Sequence, residues 1–193
     1  MRLPDLKPMQ YICRILAIDN GTDQVGFCIA DYNILTDEIK VIDCHTYKVP
    51  ANYKTIKKAK CQNRSNLHAR LDYIEEHYIE LLEEYRPNLI GCESPFGHRM
   101  MNAFRTLTIA IEMFDSASLK YMPFVDFIRI TPLEAKKAMS EGNKFAIKKV
   151  DVHRYIFKDK KIIIPDHIDL YNLGEDALDS ITVAKAMGKY MVL

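Results

Sequence analysis

No stretch of the 193-residue chain approaches the roughly 18–20 consecutive apolar residues that a membrane-spanning helix needs, so no membrane partner is expected. The segment Met1 to Gln10 mixes charges with proline and lacks the apolar core of a signal peptide, which predicts a cytoplasmic location. The five cysteines, Cys13, Cys28, Cys44, Cys61 and Cys92, are odd in number and form no CxxC pair. That pattern argues against a zinc site or a disulfide framework. Three of them sit in apolar, strand-like stretches, where free cysteine behaves as a small hydrophobe. Neither charge is in surplus: 27 basic residues face 26 acidic ones, for a net charge of +1, so the average says nothing about partners. There is also no internal repeat, no low-complexity tract and no linker.

What is present is ordinary for a globular protein, with 48% hydrophobic and 27% charged residues. The length suits one domain over residues 1–193, with 1–12 as an N-terminal extension. Charge is unevenly spread. Lys48, Lys54, Lys57, Lys58, Lys60, Arg64 and Arg70 fall in a segment without a single acid, and a second basic segment runs from Lys136 to Lys161. Local positive segments on a neutral protein suit a polyanion held on one face, although solvated lysine-rich loops would look the same.

Arg14 to Asp19 is a short apolar run ending in an acid and followed by Asn20-Gly21, a strong turn dipeptide. With Val25 to Asp31 and Ile39 to Tyr47 it predicts an antiparallel meander of three strands. Leu67, Leu71, Ile74, Tyr78, Leu81, Leu82 and Tyr85 recur at spacings of three and four and predict a long helix, which Pro87 ends. A strand over Asn88 to Glu93, a helix over Met100 to Phe114 and a strand over Val125 to Ile130 follow. Thr131-Pro132-Leu133-Glu134 has the form of a capping box. A basic loop or helix pair runs to about Lys161, and a last helix starts near Asn172. The order predicts a mixed five-stranded α/β sheet, three antiparallel strands and then parallel ones, flanked by helices.

The acids carry the most information. Asp19 and Glu93 each end an apolar run, at the strand edge where open α/β sheets build their sites. Asp176 and Asp179 are three apart and share one helix face. Each has a plain structural explanation: turn formation for Asp19 and Glu93, helix N-terminal electrostatics for Asp176 and Asp179. Glu175 is accounted for by its capping-box spacing from Asn172. Yet Asp176 and Asp179 lead into Ile181, Val183, Ala184 and Ala186, a helix apolar enough to be buried. Four carboxylates at one point would repel unless a cation neutralised them, and a hard ion such as Mg²⁺ or Mn²⁺ prefers oxygen ligands. A pair of such ions suits in-line displacement at a phosphodiester.

These segments resemble the motifs of the RuvC family of Holliday-junction resolvases, including those carried by bacteriophages. Ile15-Leu16-Ala17-Ile18-Asp19-Asn20-Gly21 with Val25-Gly26-Phe27 resembles the first two strands. Leu89-Ile90-Gly91-Cys92-Glu93-Ser94-Pro95-Phe96 resembles the strand with the family's glutamate, and Glu175-Asp176-Ala177-Leu178-Asp179-Ser180 its closing helix. The resemblance spans roughly Arg14 to Met187, with low identity between motifs and with Asn20 where small residues are common. It implies a ribonuclease H-like fold and a homodimer on a four-way DNA junction, cleaving it with two Mg²⁺ or Mn²⁺ ions per site. Asp19, Glu93, Asp176 and Asp179 would hold the metals, and Lys148 would support the scissile phosphate. Lys137 also falls at a family lysine. Phe96 would stack on an unpaired base at the junction centre, or else pack on the sheet edge. Lys57, Lys58, Lys60 and Arg64 would contact phosphates. The Met100–Phe114 helix is a candidate dimer face, with core packing the plainer account.

Three other readings compete. An actin-like or sugar-kinase-like ATPase would need a second, duplicated domain that the length does not allow. A related nuclease acting on flaps, other branches or RNA–DNA hybrids would share all four acids. A DNA-binding scaffold with a degenerate site fits less well, since every expected carboxylate is there. His98, His153 and His167 could act as general bases, but a two-metal site needs none; His68 and His77 read as structural.

Overall fold

The computed structural model describes residues 11–53, 65–95, 101–140, 149–188 and 190–191, with the side chains of 149–152 left out. β1 (Ile12–Asp19), β2 (Gln24–Asn33) and β3 (Glu38–Lys48) form the antiparallel meander. β4 (Leu89–Glu93) runs parallel to β1, and β5 (Asp126–Ile130) parallel to β4. The sheet has six strands, not five, in the order β5-β4-β1-β2-β3-β6. The sixth, β6 (Ile162–Ile163), pairs in parallel with Ile39 and Lys40 at the sheet edge. Two residues are too few to display a period of two, which is why the expected sheet stopped at five.

Five helices cover the sheet among the described residues: α1 (Asn66–Tyr85), α2 (Met101–Tyr121), α3 (Pro132–Met139), α4 (Lys149–Ile156) and α5 (Glu175–Gly188). α1 begins where the Ser65 side chain accepts from the His68 amide. It ends at Arg86, whose left-handed φ of 46° lets its N–H reach back to Leu82, just ahead of Pro87. α3 has the expected capping box, with Thr131 and Glu134 satisfying each other's backbone amides. α5 departs from expectation. Asn172 is held in a turn by Asp169, and the helix opens two residues later, where the Leu178 amide donates to the Gly174 carbonyl. The Asn172–Glu175 capping box therefore does not form.

Strand alternation divides the core in two. Leu16, Ile18, Phe27, Ile29 and Ile90 face α1 and α2, packing with Leu71, Ile74, Tyr78, Ile111 and Phe114. Ile15, Ala17, Cys28, Ala30 and Tyr32 face α3, α4 and α5, packing with Ala135, Met139, Ile156, Ile181 and Val183. Both faces are covered, so β1 reads as an unbroken apolar run instead of an alternating one. Each fully buried Ile, Leu or Phe contributes about 1.5–3 kcal/mol. The described cysteines are free, and three of the four are buried; Cys61 lies outside the described residues. No helix among the described residues is long and apolar enough to cross a membrane.

Candidate active site

β1 and β4 are parallel neighbours with Ile18 level with Cys92, so the next residues, Asp19 and Glu93, emerge side by side at one sheet edge. The helical acids reach them because α5 packs unusually close to the sheet. Asp19 pairs with Gly26 on β2, and a Cβ on Gly26 would lie 1.9 Å from the main-chain oxygen of Asp176. Only glycine leaves room for the first turn of α5 there. The outcome is a cleft of about 370 Å³ lined by Asp19, Glu93, Asp176 and Asp179, together with Asn20 and Lys136.

All four acids singled out in the sequence thus meet in one place. Burial, followed by the charge and hydrogen bond of Glu93 and then the charges of Asp179 and Asp176, pushes the Asp19 carboxyl far above the ordinary carboxylate range. Without a cation, Asp19 keeps a proton that its position would otherwise shed. No three His, Cys, Asp or Glu side chains among the described residues are already drawn in as a finished metal cage. The cleft instead holds a spread set of hard oxygen donors under mutual repulsion.

Three contributors stand outside the site that the sequence assigns, His153 being weighed there only as a dispensable general base. Asn20 donates its side-chain amide to the Leu107 carbonyl on α2, 2.9 Å away, while its Oδ1 is buried without a partner beside Asp19. A buried acceptor with nothing to accept from is costly, and a cation or its bound water would satisfy it. His153, on α4, places Nε2 at 2.9 Å from Asp179 Oδ1, both side chains being largely buried. Lys136 lines the cleft; Lys137 is exposed on α3, where its charge adds to the Thr131 and Tyr190 hydrogen bonds that lower the Glu134 carboxyl. Contacts spanning 26 residues, for His153, and 87 residues, for Asn20, leave no local signature. The Asn-Gly pair gave only its turn, which forms: a Cβ on Gly21 would meet the Gln24 carbonyl oxygen at 1.8 Å. Lys57, Lys58, Lys60, Arg64, Phe96, His98 and Lys148 lie outside the described residues.

The fold has counterparts among solved structures. Thermus thermophilus RuvC in complex with a Holliday-junction substrate superposes with a TM-score of 0.65 at 14% identity, covering 92% of this chain and 94% of that one. The chain shares the fold of the RuvC resolvases. The yeast mitochondrial Holliday-junction resolvase Ydc2 gives a TM-score of 0.63 at 15% identity, over 92% of this chain and 78% of that one. Fowlpox virus resolvase, in a complex with Holliday-junction DNA, gives 0.53 at 16% identity, over 93% and 99%. No protein-family model and no curated protein sequence matches the chain. The RuvC-like, ribonuclease H-like architecture is therefore carried by topology and not by overall sequence identity.

Proposed function

We propose that this protein is a structure-selective endodeoxyribonuclease that resolves four-way DNA junctions as a homodimer. The observation that carries the reading is the convergence of Asp19, Glu93, Asp176 and Asp179 in one cleft, on a fold shared with proteins solved on Holliday-junction DNA. The donor set fits Mg²⁺ or Mn²⁺: four carboxylates under mutual repulsion and an orphaned amide oxygen on Asn20. Such ions, two per site, would supply an activated water and neutralise the leaving oxygen of the phosphodiester. The chain's own residues hold and orient. Asp19 and Glu93 are fixed by the rigid sheet, while Asp176 and Asp179 are fixed by a helix pressed onto Gly26. Lys136 at the rim offers positive charge to a phosphate. Lys148, Lys137 and Phe96 retain the roles that the family resemblance implies, as do Lys57, Lys58, Lys60 and Arg64 in backbone contact.

The test is cleavage of a labelled four-way junction beside linear duplex, flap and RNA–DNA hybrid, with Mg²⁺, Mn²⁺ or EDTA, for the wild type and Asp179→Asn. Paired symmetrical nicks on the junction, lost in EDTA and in the variant, are expected. Faster cutting of flap or hybrid would keep the metal site and overturn the junction assignment. No cutting of any substrate would leave a DNA-binding scaffold.

A further inference from the structure

On the opposite face of the sheet from α5, two histidines meet. His45 on β3 lies across from Phe27, level with Ile18, and its ring turns toward α1. There His45 Nε2 stands 2.9 Å from His77 Nε2. The outer nitrogen of each ring meets a carboxylate: His45 Nδ1 is 2.9 Å from Asp43 Oδ2, and His77 Nδ1 is 3.3 Å from Glu80 Oε2. The Tyr47 ring stacks on His77 at 4.3 Å and 11°, and the Phe27 ring lies 5.8 Å from His45 and 5.6 Å from His77, which limits the swing of both imidazoles.

Counting protons exposes the problem. Three contacts in a row need three donors, and two neutral imidazoles carry one N–H each. His45 Nδ1 and His77 Nδ1 each face a carboxylate, which accepts a hydrogen bond and, when ionised, cannot donate one. With each Nδ1–H given to a carboxylate, both Nε2 atoms present lone pairs to the same point. A carboxylate behind each imidazole, fixing tautomer and ring orientation, is the usual support of metal-bound histidine. Two nitrogens each about 2.1 Å from one ion are roughly 3 Å apart at the right angle of an octahedral site and about 3.4 Å apart at a tetrahedral zinc, so zinc needs the two rings to part by about half an ångström.

We propose that His45 and His77 form a second metal site, separate from the carboxylate cleft, for an imidazole-preferring divalent ion of the zinc, nickel or cobalt class. Asp43 and Glu80 support the ligands and balance the charge. Side-chain exposures of 31% for His45 and 21% for His77 leave the remaining coordination positions to water. Bound there, the ion would clamp α1 to the edge of the antiparallel meander.

The experiment is calorimetric titration of the EDTA-stripped full-length protein with ZnCl₂, NiCl₂ and MgCl₂. It compares the wild type, Asp19→Asn, His45→Gln and His77→Gln, each checked for folding by circular dichroism. With MgCl₂ in excess to occupy the carboxylate cleft, one zinc ion per chain is expected in the wild type and in Asp19→Asn, with binding at least 10-fold weaker in either histidine variant. Long-range ¹H–¹⁵N spectra of the wild type provide a readout that needs no variant, with two Nε2 signals shifting together on zinc addition. Absence of stoichiometric zinc binding would overturn the proposal, as would binding that survives both histidine changes or Nε2 signals that zinc leaves in place. Because Asp19→Asn spares this site, failure here and failure of the nuclease reading are separately visible.

Discussion

Asp19 is where burial and the neighbouring carboxylates act together, and its protonation is the simplest handle on the site. Its folded pKa is raised above the unfolded value, so between the two the folded state holds a proton that the unfolded state has released. Stability of the metal-free protein must then fall as pH rises from about 4 upward. Asp19→Asn removes that penalty and should raise the melting temperature at pH 7–8 by several degrees, at about 2–4 °C per kcal/mol for a chain of this size. The gain should shrink toward pH 5. Adding Mn²⁺ should raise the wild-type melting temperature and leave the variant nearly unmoved. A variant no more stable than the wild type at pH 8 would mean that the carboxylates do not oppose one another. His153 acts through Asp179, holding one of its carboxylate oxygens. His153→Ala should lower junction cleavage by roughly 10–100-fold and raise the Mn²⁺ concentration needed for half-maximal activity. His153→Gln, which keeps a donor at similar reach, should recover much of both. Equal loss in the two variants, without a change in metal requirement, would reduce His153 to packing.

Between elements, the decisive contact is the backbone of α5 against β2. Gly26→Ala would drive a methyl into the Asp176 carbonyl, and main chain cannot yield as a side-chain tip can. Overpacking of this kind costs about 1–3 kcal/mol. It should also carry Asp176 and Asp179 away from Asp19 and Glu93, so cleavage should drop by more than the stability loss explains. Near-normal activity in a folded Gly26→Ala protein would refute that coupling. The elements themselves were legible where a period ran long enough: the meander, α1 with its stop at Pro87, β4, β5 and the Thr131 capping box all lie where periodicity and turn chemistry indicate. Reading failed where the cue was short or duplicated. β6 has only two residues and is specified by its neighbour, the Ile39 amide donating to the Lys161 carbonyl. At α5 Asn172 carries two cues, a cap and a turn partner, and the turn wins because the Asp169 side chain captures Asn172.

Across the whole molecule, the four acids were legible because strand ends and a shared helix face are local facts that the chain order then joins. Asn20, His153 and Lys136 were not, since each depends on which distant element the fold sets opposite it. The charge distribution follows the same division. The run from Lys48 to Arg70 is plain in the sequence, while the work proposed for it on DNA would be a matter of counterions and not of any one contact. Each lysine or arginine that neutralises a phosphate releases a condensed cation, steepening the fall of log K with log salt by about 0.9 on duplex arms. Replacing Lys57, Lys58, Lys60 and Arg64 together by glutamine should therefore flatten that slope by up to about 3–4 and weaken junction binding most at low salt. Such contacts position the duplex without reading bases, so the pattern of cut sites should stay as in the wild type. Binding across a salt series, with cleavage mapped on the same junction, separates the possibilities. An unchanged slope would make this segment a solvated loop, and altered cut sites would give it a part in recognition.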